Sequence, residues 1–518
     1  MAKKTAQQNT TVKPTASEKR PPVVAVMGHI DHGKSTLLDY IRKSNVVDTE
    51  AGGITQRISA YEVTRKSKSG TEERVTFIDT PGHAAFSGMR ERGATTADIC
   101  ILVVSSEDGV KPQTVEAYKQ IKTAGVPFIV AITKIDKPTA NVERAKISLA
   151  ENEIYLEGYG GDISYVPVSA KSGDGIDDLL ELILLTAEVA EFKGDRNALA
   201  SGSIIEAHRD PKKGISATLI VKDGSLGTGQ FVACGSAWSP TRMLEDFAGK
   251  KIVTVSFSSP LRVIGWNEAP QVGGQFVTFA SKSDLEDHLE TIRESKLRPV
   301  NNPGAPIAAP KVPEESDKAS LPLIIKADVL GSAEAIEKEL SKLGNERIAP
   351  KIILASIGDI TESDIKVAGG GTDTVVLGFN VRMDSQAKAM VERLGISYQS
   401  FDIIYKLIEW VDELIKQRTP KVAAEEIVGK AKILKYFSAM KDKQIVGGKV
   451  IDREIGLGHI VKIVRRETTI GQGVIRELQQ AKVKTSTVKE GFEFGAMIDS
   501  KIELAPGDVL EDFVVVEK

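Results

Sequence analysis

An eight-residue loop, Gly28–Ser35, constrains the fold of this chain more than any other feature. Its sequence, GHIDHGKS, has the pattern G-x-x-x-x-G-K-[ST], in which the glycines let backbone N–H groups converge on phosphate oxygens. The loop follows the apolar run Val23–Met27 and precedes the helical run Thr36–Arg42. A strand, this loop and a helix in that order predict a phosphate-binding α/β domain, with the positive end of the helix directed at the phosphates.

Strand-like and helical segments continue to alternate as far as residue 195. The further apolar runs in this region are Val75–Ile78, Ile99–Val104, Phe128–Ile132 and Tyr165–Val168. Regular alternation of this kind predicts a parallel sheet with helices on both faces.

The 518 residues exceed the length of one domain, so we expect a multidomain α/β plus β fold. Short strand-like runs between glycine turns predict two β-barrels, and the strand LPLIIKADV predicts the start of a second α/β (αβα) domain. The helical spacing of apolar residues from Asp402 to Lys416 predicts a long linker helix, and an ordinary amphipathic helix explains those residues equally well. The predicted organisation is a flexible tail at 1–20, the phosphate-loop domain at 21–195, a β-barrel at 196–283, a helix and proline-rich linker at 284–320, the second α/β domain at 321–400, the linker helix at 401–418 and a C-terminal β-barrel at 419–518.

Composition limits the environment and the partners. Two cysteines, Cys100 and Cys234, cannot build a disulfide framework, so we expect a cytoplasmic protein in a reducing compartment. No run approaches the roughly 18 apolar residues of a membrane helix, and the first residues lack the apolar core of a signal peptide, so we expect no membrane partner. The formal charge of −3 limits contact with RNA to local basic patches. We expect a monomer.

The phosphate loop supplies the first set of candidate site residues. Lys34 is predicted to reach the β- and γ-phosphates, and the Ser35 hydroxyl to bind Mg²⁺. His29, Asp31 and His32 could instead suggest a metal cluster, but the backbone of this loop must wrap phosphate, so we favour the nucleotide. The residues predicted to surround the phosphates are Gly28, His29, Ile30, Asp31, His32, Gly33, Lys34, Ser35 and Thr36.

A second element, Asp79-Thr80-Pro81-Gly82-His83, closes the run Val75–Ile78. Asp79 is predicted to hold Mg²⁺ through water, and the Gly82 amide to contact the γ-phosphate. His83 then lies where a side chain could orient the attacking water. Taken alone, His83 would be explained as a surface histidine on a mobile loop. Because the other elements are present, we favour a catalytic role for His83, together with Lys34 and Gly82.

Two further elements predict which base is bound. Asp136, in the segment TKID that closes Phe128–Ile132, can accept two hydrogen bonds from guanine N1 and N2, which adenine does not offer. The segment SAK after Tyr165–Val168 would offer a backbone N–H to guanine O6. The residues predicted to contact the base are Thr133, Lys134, Asp136, Ser169, Ala170 and Lys171. Four elements in order, each at the end of a strand, predict a GTPase that binds GTP and GDP rather than ATP.

At this point the chain resembles the translational GTPases, and among them the family of initiation factor two of the bacterial type. The segments that carry the resemblance are GHIDHGKSTLLD (28–39), EAGGITQRISAY (50–61), DTPGHAAFSGMRERGA (79–94), IIEAHRDPKKGISATLIVKDGSLGTG (204–229), IIKADVLGSAEA (324–335), ITESD (360–364) and GFNVR (378–382). The resemblance covers nearly everything after residue 20.

The resemblance implies a GTP-bound factor that helps place initiator tRNA on the small ribosomal subunit and promotes subunit joining. Hydrolysis would then be stimulated by the large subunit. By motif, Thr55 would complete the Mg²⁺ shell, and Ile30 and Ile54 would form an apolar gate beside the water. His83 would swing inward when supported by ribosomal RNA.

The chain departs from the family pattern at two places. Thr133 stands where the family usually has Asn, and its hydroxyl could partly substitute. In the last barrel Glu493 and Gly495 match the family, but cysteines and a basic pair are replaced by Lys449, Phe494, Gln479 and Gln480. The sequence thus predicts initiator tRNA as a partner and leaves recognition of its formyl-methionyl group open. Two basic clusters could contact RNA phosphate or form a solvated face: the basic residues of 462–466, and Lys482, Lys484 and Lys489.

The sequence leaves two alternatives open. The second α/β domain and the linker helix disfavour an elongation-type tRNA carrier, because in such carriers β-barrels follow the GTPase domain. A GTP-binding ribosome scaffold without tRNA recognition is disfavoured by the intact Lys34, Asp79 and His83.

Overall fold

The structure, a computed structural model, describes residues 17–43, 55–66, 72–297, 319–369, 373–419, 423–440 and 443–517. Most of the predicted tail, Ile54 and most of the proline-rich linker lie outside these residues. The chain divides into two compact units, Met1–Arg418 and Thr419–Lys518.

The first domain of the larger unit is a twisted sheet with the strand order β3-β4-β2-β5-β6-β7. Its strands and the short flanking strands are β1 (Glu18–Lys19), β2 (Val23–Gly28), β3 (Ser59–Lys66), β4 (Glu72–Asp79), β5 (Ile99–Ser105), β6 (Phe128–Thr133), β7 (Tyr165–Pro167) and β8 (Lys193–Gly194). The pairs from β4 to β7 are parallel, as predicted, whereas β3 runs antiparallel to β4 at the edge. Each residue of β2 is buried, because helices cover both faces of the sheet.

The helices of this domain are α1 (Lys34–Arg42), α2 (Ser87–Thr96), α3 (Pro112–Ala124), α4 (Val142–Glu151) and α5 (Ile176–Val189), with a 3₁₀ turn at Ala84–Phe86. The alternation of side chains along β2 separates two cores. Ala25 and Met27 pack with residues of α2, α3 and α4, while Val24 and Val26 pack with residues of α1 and α5. The carboxyl ends of the parallel strands therefore meet at one open edge, where the phosphate loop begins.

Residues 17–20 differ from the predicted flexible tail. Strand β1 pairs antiparallel with β8, and the Arg20 guanidinium contacts the Asp98 carboxylate at 2.6 Å. Arg20 also lies over the ring of Phe192. Backbone pairing and a largely buried ion pair offset the entropy of ordering these few residues.

The second domain is an antiparallel barrel-like sheet with the strand order β13-β12-β18-β9-β10-β17-β14-β15 around one apolar core. Its elements are β9 (Ser201–Asp210), β10 (Gly214–Asp223), β11 (Ser225–Gly227), β12 (Phe231–Cys234), β13 (Ala237–Pro240), β14 (Met243–Asp246), β15 (Lys251–Ile252), β16 (Thr254–Ser256), β17 (Pro260–Ile264), β18 (Gln275–Phe279) and the helix α6 (Lys282–Leu297).

The third domain is an αβα layer with the parallel strand order β20-β19-β21-β22. Its elements are β19 (Ala319–Ala327), β20 (Ile348–Ile357), β21 (Val375–Phe379), β22 (Ser397–Phe401), α7 (Leu330–Leu340), α8 (Glu362–Ala368), α9 (Ser385–Leu394) and α10 (Ile404–Arg418). Helices α7 and α10 share one core with the sheet, and α8 and α9 pack on the opposite face. The predicted linker helix is thus α10, and its apolar stripe is buried against this domain.

The smaller unit is a closed barrel in the order β23-β30-β25-β26-β29-β24, with β24 pairing back to β23. Its strands are β23 (Ala423–Met440), β24 (Lys443–Gly456), β25 (Ile460–Arg465), β26 (Thr468–Gln480), β27 (Val483–Lys484), β28 (Thr487–Lys489), β29 (Glu493–Asp499) and β30 (Val509–Glu517). Inward-facing side chains of the ring form one core. Among the described residues, no helix is both long and apolar enough to cross a membrane.

Candidate nucleotide-binding and hydrolysis site

Two glycines give the phosphate loop its backbone path. Gly28 ends β2 with φ 147°, and a Cβ at this position would lie 2.5 Å from the carbonyl oxygen of Val103. Gly33 has φ 87° at the N-cap of α1, in the left-handed region that side chains disfavour. The loop therefore approaches β5 too closely for any residue larger than glycine.

Lys34 is folded into the centre of the site. Its side chain is buried, and Nζ donates to the His29 carbonyl at 2.6 Å. A Cβ on Gly82 would lie 2.5 Å from the same Nζ, so the structure brings Lys34 and Gly82 together. Burial lowers the pKa of Lys34 to about 8, opposed by the nearby Asp79 carboxylate. A bound triphosphate would add negative charge here and raise that pKa again.

The hydroxyl groups of Ser35 and Thr55 lie 2.8 Å apart. Two neighbouring ligands of an octahedral Mg²⁺, each about 2.1 Å from the ion, are separated by about 3 Å. Asp79 ends β4 opposite Val26 of β2, and it is buried with its carboxylate close enough to Lys34 to raise the pKa of that group. The spacing of the Ser35 and Thr55 hydroxyls therefore fits two neighbouring ligands of one hard cation.

His32 is buried and braces the loop from within. Its Nδ1 accepts a hydrogen bond from the Ser105 N–H at 3.3 Å, and its ring contacts the ring of His29 edge-on at 4.9 Å. Burial lowers the pKa of His32 to about 3, so the imidazole is neutral at pH 7. Asp31 occupies the left-handed turn of the loop with φ 60°.

His83 is buried rather than exposed on a mobile loop. Its Nδ1 accepts from the Ala85 N–H at 2.8 Å and thereby caps the 3₁₀ turn. The imidazole meets the ring of Tyr405 edge-on at 4.0 Å and the ring of Phe86 at 6.0 Å. Desolvation lowers the pKa of His83 to about 4, so the ring is neutral at pH 7.

Arg90, which the sequence did not single out, holds the loop before His83. The guanidinium is fully buried and donates to the carbonyls of Pro81 and His83, the first at 3.2 Å. It also pairs with Glu116 at 2.7 Å. In sequence Arg90 resembles any cation on the surface of a helix, and its role depends on three groups brought together by folding.

Thr133, the last residue of β6, joins the loop that follows β6 to the phosphate loop. Its hydroxyl contacts the His32 carbonyl at 2.5 Å and the Val104 carbonyl at 3.3 Å. Lys134 follows with φ 62°, and its carbonyl accepts from the Ser106 hydroxyl at 3.2 Å. A hydroxyl at position 133 therefore makes a bracing contact between the two loops.

Asp136 and the segment 169–171, both predicted to contact the base, lie next to each other. The Ser169 hydroxyl donates to Asp136 at 2.7 Å and accepts from the N–H groups of Lys171 and Ser172 at 3.2 and 3.1 Å. The hydrogen bond from Ser169 lowers the pKa of Asp136, so this carboxylate is charged at pH 7 and only accepts hydrogen bonds. Ala170 lies between Ser169 and Lys171 in this segment.

In the C-terminal barrel, residues that differ from the family pattern lie close to residues that match it. Lys449 lies opposite Glu493 on β24 and β29, and Gly495 lies opposite Gln479 on β26. Lys449 and Glu493 are exposed, but Phe494 is buried in the core. Its ring packs on Gly448, where a Cβ would lie 2.7 Å away. Phe494 thus does not present its side chain to a ligand.

The basic segment 462–466 is partly engaged within the barrel. Arg465 pairs with Asp508 at 2.7 Å, and the Lys462 ammonium lies over the ring of Phe513 at 5.0 Å. Lys484 contacts Glu477 at 3.4 Å with most of its side chain exposed. These contacts favour the solvated face for 462–466 over a cluster reserved for RNA.

Three family models match successive parts of the chain. The model of the elongation factor Tu GTP binding domain matches residues 19–188, and that of elongation factor G domain 2 matches residues 199–279. The model of translation-initiation factor 2 matches residues 309–412.

Relatives match across almost the whole chain. A protein of Bacillus pumilus named translation initiation factor IF-2 is 40% identical over 501 residues, which cover 96% of this chain and 70% of the relative. Its counterpart in Bacillus cereus is 41% identical over 503 residues, 96% of this chain and 72% of the relative. Among solved structures, GDP-bound aIF5B from Aeropyrum pernix is 26% identical, covers 96% of this chain and 92% of that chain, and has a TM-score of 0.45.

Proposed function

This chain belongs to the translation initiation factor 2 family, and we propose how its residues bind and hydrolyse GTP. The protein is a GTPase that binds GTP and GDP and acts in initiation on the ribosome. We further propose that it helps place initiator tRNA on the small subunit and promotes subunit joining, with hydrolysis stimulated by the large subunit. A monomer in the cytoplasm fits this role, and sedimentation of the purified protein tests the monomer.

The Ser35–Thr55 hydroxyl pair at 2.8 Å carries the proposal for the metal. Ser35, Thr55 and, through water, Asp79 would hold Mg²⁺. The ion would neutralise charge on the β- and γ-phosphate oxygens. Lys34 would contact the same phosphates, and the loop amides from 28 to 36 would bind the remaining oxygens.

Base selection is proposed for Asp136 and the segment 169–171. Two hydrogen bonds from guanine N1 and N2 would reach Asp136, and an N–H of the segment would reach O6. A bound adenine would leave the charged Asp136 without these donors, which is a heavy penalty in a site built around them. Thr133 and Lys134 would support the base by fixing the loop.

Hydrolysis is proposed to use His83, Gly82 and Lys34. A neutral imidazole can orient the attacking water, and the Gly82 amide and the Lys34 ammonium can stabilise charge on the γ-phosphate. The present His83 rotamer uses Nδ1 to cap the 3₁₀ turn. The side chain must therefore rotate before it can contact a water beside the γ-phosphate.

Ribosome-stimulated GTP turnover of the wild type and of His83→Ala tests this proposal. We expect purified ribosomes to stimulate the wild type strongly and His83→Ala to lose about 10²–10⁴-fold of that stimulation, the usual contribution of a positioned acid–base group. Guanine nucleotide affinity should stay within about twofold, measured with fluorescent GDP and with fluorescent ADP as the specificity control. Equal stimulated rates for both proteins, or equal affinity for ADP, would contradict the proposal.

Initiator tRNA is proposed to bind the barrel of residues 419–518. The exposed positions on β24 and β29 support a contact there, while the buried Phe494 argues against a pocket for the formyl-methionyl group at that position. Titration of the full chain with formylated and unformylated initiator tRNA should give binding with less than about a fivefold preference. A preference of about 100-fold would show that the formyl group is recognised after all.

A further inference from the structure

The first turn of α10 and Asp402 just before it contact both loops that border the proposed γ-phosphate position. The ring of Tyr405 meets the His83 imidazole at 4.0 Å and an angle of 65°. One residue after Thr55, the Gln56 side chain donates to the Asp402 carbonyl at 2.9 Å and accepts from the Ile404 N–H at 3.2 Å. Helix α10 belongs to a different domain from these loops, so the contacts link the hydrolysis site to the third domain.

Tyr405 is held on a fixed platform. Ile404, Leu407 and Val411 of α10 are fully buried in the core that α10 shares with α7. Helix α7 is in turn joined to α2 by the Arg92–Glu334 ion pair at 2.6 Å. Although the Tyr405 side chain is partly exposed, its backbone cannot move unless α10 shifts as a body.

The His83 imidazole is enclosed on its other sides as well. Its Nδ1 is bonded to the Ala85 N–H, its backbone carbonyl is held by Arg90, and the ring of Phe86 lies at 6.0 Å. Among these contacts Tyr405 comes from the third domain, which also places Glu339 and Lys342 close enough to act on the charge of His83. Since rotamer changes need free space around the ring, the Tyr405 ring opposes rotation of His83.

We propose that Tyr405 is a positioning residue that holds His83 in its resting rotamer, so that hydrolysis requires displacement of α10. This inference depends on the catalytic role proposed above for His83. The Gln56 contacts extend the linkage to the segment that carries Thr55. A shift of α10 would therefore release His83 and disturb the neighbour of a proposed magnesium ligand in one movement.

GTP hydrolysis by the full chain, without ribosomes and with saturating ribosomes, tests the inference with Tyr405→Ala and Tyr405→Phe. We expect Tyr405→Ala to raise the ribosome-independent kcat about three- to tenfold with KM unchanged, because His83 gains access to its active rotamer. Tyr405→Phe keeps the ring and should behave as the wild type. Tyr155→Ala, which removes a similarly exposed tyrosine of the same unit, is the matched control and should leave the rate unchanged.

The double variant Tyr405→Ala/His83→Ala separates the two proposals. If the gain comes from His83, the double variant should have the low rate of His83→Ala. An unchanged or lowered kcat in Tyr405→Ala, or a gain that persists in the double variant, would overturn the inference. If His83→Ala keeps full ribosome-stimulated turnover, the proposed function itself fails instead.

NMR of the His83 ring protons gives a readout that is independent of turnover. The Tyr405 ring current should shift these protons, which are assigned by their loss in His83→Ala. Tyr405→Ala should move them and Tyr405→Phe should not, with thermal unfolding midpoints confirming that both variants are folded. Identical shifts in all three proteins would show that the ring contact does not persist in solution and would overturn the inference.

Discussion

At the residue scale, several ionisable groups are buried where their charged forms are disfavoured. Glu206 lies between the first three domains, where Oε1 accepts from the N–H groups of Ala207 and Gly331 at 3.0 and 3.3 Å. Among the described residues Oε2 has no hydrogen-bond partner, and burial raises the pKa of Glu206 to about 7. His208 and His83 show the opposite direction, since burial lowers their pKa values to about 4. Each shift favours the neutral form of the buried group.

Glu206→Gln should remove a pH dependence of stability. Between pH 4.5 and about 7 the folded protein keeps a proton on Glu206 that the unfolded chain releases. The free energy of unfolding therefore falls as pH rises through this window, by up to about 3 kcal/mol, and the loss persists above it. A neutral Gln should stabilise the protein at pH 8 by about 1–3 kcal/mol and have little effect at pH 4.5.

Urea unfolding of the first unit at pH 4.5 and pH 8 measures this difference. Glu409→Gln, at an exposed position of α10, is the control and should change stability equally at both pH values. The same gain for Glu206→Gln at both pH values would contradict the assignment of the proton.

Thr133→Val should weaken guanine nucleotide binding. The substitution keeps the shape of the side chain but removes the hydroxyl contacts to the carbonyls of His32 and Val104. Losing a hydrogen bond that joins the two loops costs about 1–2 kcal/mol, which corresponds to about a tenfold lower affinity for GDP. Titration with fluorescent GDP measures the change, and Thr133→Ser, which keeps the hydroxyl, should stay near the wild type. Equal affinity of the Val and Ser variants would show that the hydroxyl is not a brace.

At the scale of elements, the site depends on how closely β2 approaches β5. The two strands are parallel neighbours, with Gly28 paired to Val103 at their carboxyl ends. The turn into α1 starts at this close approach, so strand spacing and loop geometry are set together.

Gly28→Ala should separate these strands. The added Cβ would lie 2.5 Å from the Val103 carbonyl oxygen, so the backbone has to move, at a cost of about 2–3 kcal/mol. Nucleotide affinity should fall as well, because the loop begins at this residue. Gly125→Ala is the control, since Gly125 has φ 69° with no atom within 4 Å of the added Cβ, and should cost only about 1 kcal/mol with normal affinity. Thermal unfolding and GDP titration of both variants measure the difference, and equal effects would contradict the steric argument.

The sequence predicts the positions of the phosphate loop, Asp79 and Asp136 well, because each follows an apolar strand and parallel strands end at one edge of the sheet. It also predicts α10 to within two residues at each end. It does not predict what α10 contacts, since Gln56 and Ile404 are far apart in the chain and periodicity carries no information about such pairs. The same holds for Arg90, and for β1, whose partner β8 is remote in sequence.

At the scale of the whole molecule, the two compact units have separate cores. The ring from β23 to β30 closes on itself and surrounds its own apolar residues, including Ala431, Val446 and Leu510. A closed sheet leaves few unpaired backbone groups, so this unit has what an independent domain needs.

The fragment 419–518 should therefore fold alone. We expect circular dichroism of the purified fragment to show a β-rich spectrum and a cooperative thermal transition. Calorimetry of the full chain should show a matching transition that survives Gly28→Ala, because that substitution lies in the other unit. An unfolded fragment, or a single transition that shifts as a whole in the variant, would contradict independent folding.

Along each strand of the C-terminal barrel, side chains alternate between the core and the surface. The residues that stabilise the barrel therefore differ from those that are proposed to contact tRNA. Phe494 and its inward neighbours can change little without opening a void, whereas the exposed Lys449 and Glu493 can change without disturbing the core. Single substitutions on this surface could therefore change the contacts proposed for tRNA while the folding of the barrel stays the same.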